Sequence, residues 1–272
     1  FELGMRDTVF KNCAGYDAQG QYSTAYDTAL LTRELLKHDF LKSYMTSWMD
    51  SVRNGQTELV YGLTGLEKAS AGRITLCGTD ISGASIRKRS RAGMSHIPED
   101  RHKHGLVLGY TLEQNLVLQK YKEPQFQNHG FIRFDEVRKY ADRLIEEYDV
   151  RSGQGAITIA RSMSGGNQQK AIIARELDRN EPLVVAVQPT RGLDVGAIEH
   201  IHKQLVQERD DGKAILLVSL ELDEVLGLSD RILVIYEGEL VAELNPKETT
   251  PEELGLYMSG AKRQGKEVEQ NA

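Results

Sequence analysis

The sequence has little cysteine, and its two cysteines, Cys13 and Cys77, lie far apart. Because neither belongs to a Cys-x-x-Cys pair, the pattern argues against a disulfide framework or a zinc site and favours a reducing compartment. No apolar run approaches the roughly 20 residues that a membrane-spanning helix needs. No signal peptide opens the chain. We therefore expect any contact with a membrane to go through a partner.

Positive charge is also scarce, since 34 Lys and Arg residues stand against 40 Asp and Glu residues and the formal net charge is -6. Binding of nucleic acid through bulk positive charge is not expected, although backbone amides can still bind phosphate locally. The 272 residues permit one large domain or two small ones. Because the chain begins with Phe1, we expect its N-terminus to be the edge of a fragment.

After Asn54 the sequence has the alternating pattern of an α/β protein. Two apolar runs, Leu183–Val187 and Ala214–Val218, predict buried parallel strands, and helices are predicted around them. A polar tail from Lys262 is predicted to be disordered. The remaining predicted elements are helices at 59–66, 134–148, 167–177 and near 198–205, a strand at 72–78 and a hairpin at 231–243 that turns at 237–238.

A serine and two glycines, Ser164, Gly165 and Gly166, open the helix predicted from Asn167. Glycines let the backbone approach a ligand closely, and a helix N-terminus offers free N–H groups at its positive end. The pattern therefore favours a phosphate site. A helix N-cap followed by a turn is the simpler alternative.

The longer string over 163–170, Met-Ser-Gly-Gly-Asn-Gln-Gln-Lys, resembles the signature motif of ABC ATPases, in the form used by importers of simple sugars and nucleosides. Residues 98–101 with 105–107 resemble the Q-loop region of the C-terminal ATPase half of those importers. Residues 188–197 resemble the end of Walker B and the D-loop, and 219–224 fall at the switch-histidine region. From about Asn54 to Met258 the motifs occur in the family's order. Around Gln188 and Leu220 their amino acids most resemble those of the purine-nucleoside branch.

This resemblance implies an α/β fold, a P-loop ABC-type nucleotide-binding domain over 54–260 that is truncated at its N-terminal edge. A helical subdomain is expected at about 108–178, and a polar tail over 261–272. The implied function is ATP binding and energy coupling, with ATP and Mg²⁺ as cofactors, in an importer of nucleosides or simple sugars. The implied location is the cytoplasmic face of the membrane. The implied partners are a second ATPase half bound head to tail and membrane permease subunits, which residues near Glu99–Leu106 and the helical subdomain would contact. A solute-binding protein is implied as an indirect partner, and nucleic acid is not.

The resemblance also assigns the site residues. Two positions are catalytic in the family, namely Gln188 at the Walker B glutamate and Leu220 at the switch histidine. Thr57 is the position that would meet Mg²⁺. The nucleotide-binding positions are Asn54, Gly55, Gln56, Thr57, Glu99, Ser164, Gly165, Gly166, Asn167, Gln168 and Asp194.

Several of these positions depart from the family pattern. The phosphate loop G-x-x-x-x-G-K-[ST] is replaced over 50–57 by Asp-Ser-Val-Arg-Asn-Gly-Gln-Thr, so Gln56 stands at the lysine position. The Walker B pair is Val187 and Gln188, Glu99 replaces the Q-loop glutamine, and Leu220 replaces the switch histidine. Phosphoryl transfer depends on neutralising charge with lysine and Mg²⁺. We therefore expect the chain's own phosphate site to hydrolyse ATP poorly or not at all.

Two functions remain open for this arrangement. The chain is either an ATP-hydrolysing subunit or a non-hydrolysing regulatory half that lends only Ser164, Gly165 and Gly166 to an ATP held by its partner. A decayed site with no role is a further alternative. Turnover that Gln188→Ala abolishes would favour the first function, and rescue of a partner half without turnover alone would favour the second.

Residues 1–53 do not fit the importer pattern. An apolar strand should precede the phosphate loop, and 43–53 supply none, so we expect unpaired ladder groups on its neighbours and marginal stability. The strings at 2–8, 10–13, 22–27 and 48–53 instead resemble the middle of a D-alanyl-D-alanine carboxypeptidase. That chemistry needs Ser-x-x-Lys, Ser-x-Asn and Lys-Thr-Gly. The last two are absent from the chain, so this segment is predicted to have no active site and no reaction with penicillin.

We interpret the chain as a chimera joined within 54–60, because that string fits both families. The two families work on opposite sides of a membrane, which argues against a natural fusion. A genuine N-terminal extension with a new role is the alternative. A single contiguous product amplified from genomic DNA across codons 40 to 70 would support that alternative.

Overall fold

The computed structural model describes residues 58–264. The chain divides after Gly55 into two compact units, and all the described residues belong to the second. Its helices are α1 (58–64), α2 (Ile86–Arg91), α3 (Leu112–Val117), α4 (Phe134–Glu147), α5 (Gly165–Leu177), α6 (Val195–Asp210), α7 (Leu222–Leu228) and α8 (Pro251–Met258). Its strands are β1 (Thr75–Leu76), β2 (Thr79–Asp80), β3 (Met94–Ile97), β4 (Gln127–Asn128), β5 (Phe131–Ile132), β6 (Leu183–Val187), β7 (Ala214–Val218), β8 (Ile232–Tyr236) and β9 (Glu239–Leu244). A π-helical turn spans Arg101–Gly105, and 3-10 turns span Gly155–Ile157 and Ala160–Ser162.

A three-stranded parallel sheet with the order β3-β6-β7 forms the centre of this unit. Side chains of β6 alternate between two apolar clusters, with Val184 and Ala186 in one and Val185 and Val187 in the other. Such alternation requires cover on both faces of the strand. The prediction of a buried strand at Leu183–Val187 is therefore confirmed.

The outer strand β7 differs from its prediction. Ala214–Val218 is a strand, as expected, but Ala214 is exposed and the other four residues are only half-buried. This partial exposure follows from the place of β7 at the edge of the sheet, because within 58–264 this strand pairs on one side only. We expected a missing strand to leave unpaired ladder groups. In the structure β6 pairs on both sides, so within the described part the open ladder edges are those of β3 and β7.

Helices α3, α4 and α5 share a core beside the sheet, whose most buried members include Leu116, Leu144 and Ile172. The predicted apolar face of α4 is confirmed, since its four members are all buried. Those members are Val137, Tyr140, Ala141 and Leu144. This cluster holds α5 so that its N-terminal end lies beside the loop that follows β6.

The C-terminal part is a hairpin covered by α8. Strands β8 and β9 turn at Glu237 and Gly238, as the sequence predicts. Both residues have positive φ. The expectation of disorder from Lys262 is wrong for its first residues. Lys262 pairs with Glu253 at 2.5 Å, and the Gln264 amide donates to Val241 O at 2.9 Å. No helix within 58–264 has the length and apolar character needed to cross a membrane.

Candidate nucleotide-contacting site

The predicted site residues divide into two groups. Asn54, Gly55, Gln56 and Thr57 lie outside the described residues. The remaining predicted positions gather near the carboxyl ends of β3, β6 and β7 and the first turn of α5. Carboxyl ends of parallel strands are where open α/β sheets bind ligands.

The signature segment forms the start of α5. Ser164 is the N-cap, and its Oγ accepts from the Asn167 amide at 3.4 Å and from Asn167 Nδ2 at 2.9 Å. The Asn167 side-chain oxygen accepts from the Arg151 amide at 2.8 Å. The N-cap alternative is therefore present in the structure. The capping hydrogen bonds leave the start of α5 accessible to a ligand, because Ser164 is exposed and Gly165 and Gly166 are partly exposed.

The side chain of Gln168, one of the predicted nucleotide-binding residues, faces the interior. The residue is only 4% exposed. Its Nε2 donates to Ala160 O at 2.9 Å, and its Oε1 lies 2.9 Å from His102 Nε2. Gln168 lies four positions past the N-cap Ser164, where the helix directs its side chain toward the core. Gln168 instead ties the signature to the turn before it.

Two glycines of the signature allow three segments to meet. A Cβ atom built on Gly165 would lie 3.0 Å from Arg101 Nη2, and one built on Gly166 would lie 3.5 Å from Leu193 Cδ2. The Arg101 guanidinium also donates to Arg191 O at 3.4 Å. The Q-loop region, the signature and the D-loop region therefore contact one another directly.

Glu99, at the Q-loop position, forms an ion pair with Arg191 at 3.2 Å. The next residue, Asp100, accepts from the amides of His102 and Lys103. These backbone hydrogen bonds, that from Lys103 first, lower the pKa of the Asp100 carboxyl. Asp100 therefore fixes the turn that carries Arg101 toward the signature.

The loop over 188–194 follows β6 and contains the Walker B position. Gln188 is 9% exposed, has φ +49°, and its amide donates to Val218 O at 2.8 Å. This bond brings the ends of β6 and β7 together, and Leu220, 40% exposed, follows β7 at the same edge. A neutral amide and an aliphatic side chain cannot act as a general base.

Asp194 ends this loop and begins α6. It is exposed, and its carboxylate accepts from the Ala197 amide at 2.9 Å as the N-cap of the helix. The next residue, Val195, is 82% exposed. This corner of the site is therefore open to solvent in the structure.

The site fits phosphate better than it fits a metal ion. The first N–H groups of α5 have no intrahelical acceptor, and glycine lets an anion approach them. Mg²⁺ prefers carboxylate oxygens, which Val187 and Gln188 do not supply. Within 58–264 no group of three or more His, Cys, Asp or Glu side chains is arranged to hold a metal.

A buried cluster behind the loop is not anticipated by the sequence. The Thr190 hydroxyl donates to Glu224 Oε1 at 2.9 Å, and His202 Nε2 lies 2.9 Å from the same oxygen. Glutamate in the first turn of a helix is common on dipole grounds alone. Nothing in the sequence pattern marks Glu224 as buried, so only the fold reveals the cluster.

An apolar patch, which we define as Val107, Tyr110, Ile157 and Ile159, lies outside the site. Two loop segments carry it and are joined by backbone hydrogen bonds, one of which runs from the Ala160 amide to Tyr110 O at 2.9 Å. Its side chains are 40% to 47% exposed. Grouped exposure of this kind is typical of a surface that contacts another protein.

Two family models match the chain. The ABC transporter model matches residues 54–191, and the D-alanyl-D-alanine carboxypeptidase model matches residues 1–77. The two matches overlap over 54–77. This overlap contains the proposed junction at 54–60.

Curated relatives include the guanosine import ATP-binding protein NupO of Bacillus subtilis, 54% identical over 208 residues, which are 76% of this chain and 41% of that protein. The nucleoside import ATP-binding protein NupA of Lactococcus lactis is 52% identical over 207 residues, with the same coverage of 76% and 41%. The glucose import ATP-binding protein TsgD13 of Haloferax volcanii is 43% identical over 209 residues, 76% of this chain and 38% of that protein. The chain thus spans about two fifths of the length of these relatives.

Solved structures of ATP-binding cassettes have the same fold. A dimeric cassette in a post-hydrolysis state bound to ADP and Pi matches with a TM-score of 0.60 and 22% identity, over 71% of this chain and 81% of that one. An ATP-binding subunit of an ABC transporter matches with a TM-score of 0.61 and 19% identity, over 75% and 83%. At this identity the likeness establishes the fold alone.

Proposed function

We propose, from the premise that this chain belongs to the ABC transporter family, that it acts as an ATP-binding importer subunit whose signature completes an ATP site on a second ATPase half. The observation that carries the proposal is the accessible start of α5. Ser164, Gly165 and Gly166 lie there with Leu193 and Arg101 packed beside them. Free N–H groups at this end suit the phosphates of a bound nucleotide.

The chain's own hydrolytic site is, in this proposal, inactive. Val187 and Gln188 stand where family members carry Walker B carboxylates, and Leu220 stands at the switch-histidine position. Without these groups a nucleophilic water has neither a base nor a histidine to orient it. Hydrolysis by this chain itself is the second candidate function, and family membership is what favours it.

ATP is the proposed nucleotide, held by the partner's phosphate loop and contacted from this side by the first turn of α5. Mg²⁺ would be held on the partner, because the described residues here include no group of three or more His, Cys, Asp or Glu side chains arranged to hold a metal. The residues of this chain bind and orient phosphate and exclude water.

The apolar patch is the proposed contact with a membrane permease. It lies beyond the turn that carries Arg101, and its four side chains leave a hydrophobic surface uncovered in this structure. A permease contact places the subunit on the cytoplasmic face of the membrane. An indirect dependence on a solute-binding protein follows from the same assembly.

A nucleoside is the proposed solute. The relatives named for guanosine and nucleoside import are 54% and 52% identical to the chain, whereas the glucose import relative is 43% identical. Other subunits of an importer choose the solute. The comparison of identities therefore supports only a place for this chain in the nucleoside branch of the family.

Turnover of MgATP by the purified full chain tests the inactive site. We expect no turnover above background, and the same result for Gln188→Ala, because Gln188 supplies no catalytic group. Turnover in the unmodified chain that Gln188→Ala removes would support the second candidate instead. Lys139→Gln, on the exposed side of α4 and away from these positions, should show the same background when purified in the same way, which controls for contaminating ATPase.

A further inference from the structure

Glu224 is a buried carboxylate with an uneven set of partners. The residue is 4% exposed and lies in the first turn of α7. Its Oε1 contacts Thr190 Oγ1 and His202 Nε2, each at 2.9 Å. Its Oε2 is buried and has no hydrogen-bond partner among residues 58–264. Such a carboxylate depends strongly on each of its two donors, because a buried charge is costly without them.

The loop over 188–194 is held in a strained conformation. Gln188 has φ +49°, a region that non-glycine residues occupy only when the surroundings enforce it. Two side chains enforce it from outside the loop. Gln169 Nε2 donates to Pro189 O at 3.0 Å, and Glu224 accepts from Thr190.

The same loop touches the other parts of the site. Arg191 pairs with Glu99, and Leu193 packs against Gly166 of the signature. Any movement of α7 that shifts Glu224 therefore pulls on Thr190, and through the loop on Arg191 and Leu193. The loop connects the switch region with the signature by direct contacts.

We propose that Glu224 is a positioning residue that couples helix α7 to the loop 188–194 and thereby to the signature. His202 anchors the carboxylate from α6, and Thr190 carries its position into the loop. The coupling itself is a property of this chain alone. The further statement that the loop faces a partner half rests on the proposed function.

Hydrogen exchange of the full chain without nucleotide tests the coupling, so the result does not depend on the proposed function. Thr190→Val removes the hydroxyl and keeps the shape. We expect exchange to rise about tenfold in α7, in the loop and in the first turn of α5, as for loss of a hydrogen bond to a charged group. Thr190→Ser should restore protection, and Asp223→Asn, an exposed neighbour, should leave it unchanged.

Glu224→Leu, which removes both carboxylate oxygens, is the second variant and should raise exchange in the same three segments. Combined with Thr190→Val it should raise exchange by less than the two single effects together, because the Thr190–Glu224 hydrogen bond is lost in each. Unchanged exchange in α7 with Thr190→Val would overturn the proposal. A rise spread equally over α4 would also overturn it, since that indicates general destabilisation rather than coupling.

Discussion

His96 lies on β3 with its imidazole turned into the protein. Burial lowers its pKa to about 4, with nearby Glu176 opposing the shift and His104 and Arg175 adding to it. Its Nε2 is buried and has no hydrogen-bond partner within the described range. In the unfolded chain a histidine takes up a proton near pH 6.5, so the unfolded state binds more protons between pH 6.5 and 4. Stability is therefore present above that window and is lost as the pH falls through it.

We predict that the free energy of unfolding attributable to His96 falls by about 2 kcal/mol between pH 7 and pH 5. Urea denaturation followed by circular dichroism at the two pH values measures it. In His96→Leu this part of the pH dependence should disappear, whereas the exposed control His129→Asn should retain it. Equal pH dependence in His96→Leu and the unmodified chain would show that the imidazole is not kept neutral by burial.

At the residue scale, the sequence predicts the location of the site residues along the chain. It predicts less well the direction in which each of their side chains points. The signature string places Ser164, Gly165 and Gly166 at a helix start, and the structure has them there. It assigns Gln168 to nucleotide, yet that side chain is buried. Motif spacing locates a residue along the chain, whereas the direction of its side chain depends on packing that spacing does not contain.

Helix α1 is tied to α2 by the buried guanidinium of Arg89. Its nitrogens donate to Gly62 O at 2.7 Å, Leu63 O at 2.6 Å, Ser82 O at 2.7 Å and Ala84 O at 2.9 Å. A Cβ built on Gly65 would lie 2.9 Å from Arg89 Nε, so a glycine is needed beside it. Arg89 therefore satisfies carbonyl groups near the C-terminal end of α1, which otherwise lack donors.

We predict that Arg89→Met destabilises the protein by about 2–4 kcal/mol, because it leaves four part-buried carbonyls without their donor. Chemical denaturation of the full chain measures the change. Arg87→Met, on the exposed side of the same helix, should change stability by less than about 0.5 kcal/mol. Similar effects from the two substitutions would mean that the four hydrogen bonds do not stabilise the fold.

At the element scale the strong periodic signals gave the right elements. The α4 face, the β6 run and the β8–β9 turn are all confirmed. The burial of β7 was wrong, since an apolar run does not reveal whether a strand lies inside a sheet or at its edge. Strand order is a long-range property, and it decides that difference.

At the scale of the whole molecule, two family matches meet in one chain, over 1–77 and 54–191. The described part has the fold of an ATP-binding cassette. The segments that resemble the signature and the D-loop contact each other, and we propose that the hydrolytic positions lack their functional groups. The chimeric junction remains our hypothesis, and the carboxypeptidase-like segment lies outside the described residues.

Complementation of a signature-deficient partner tests the central claim most directly. The partner is an ABC ATPase half with an intact phosphate loop and Walker B glutamate, in which arginine replaces the signature serine. We predict that the full chain restores its MgATP hydrolysis and that Ser164→Arg lowers the restored rate by about a hundredfold or more. Ser85→Arg, at the exposed N-cap of α2, should leave the rate unchanged. No restoration by the unmodified chain, or restoration that survives Ser164→Arg, would contradict the account.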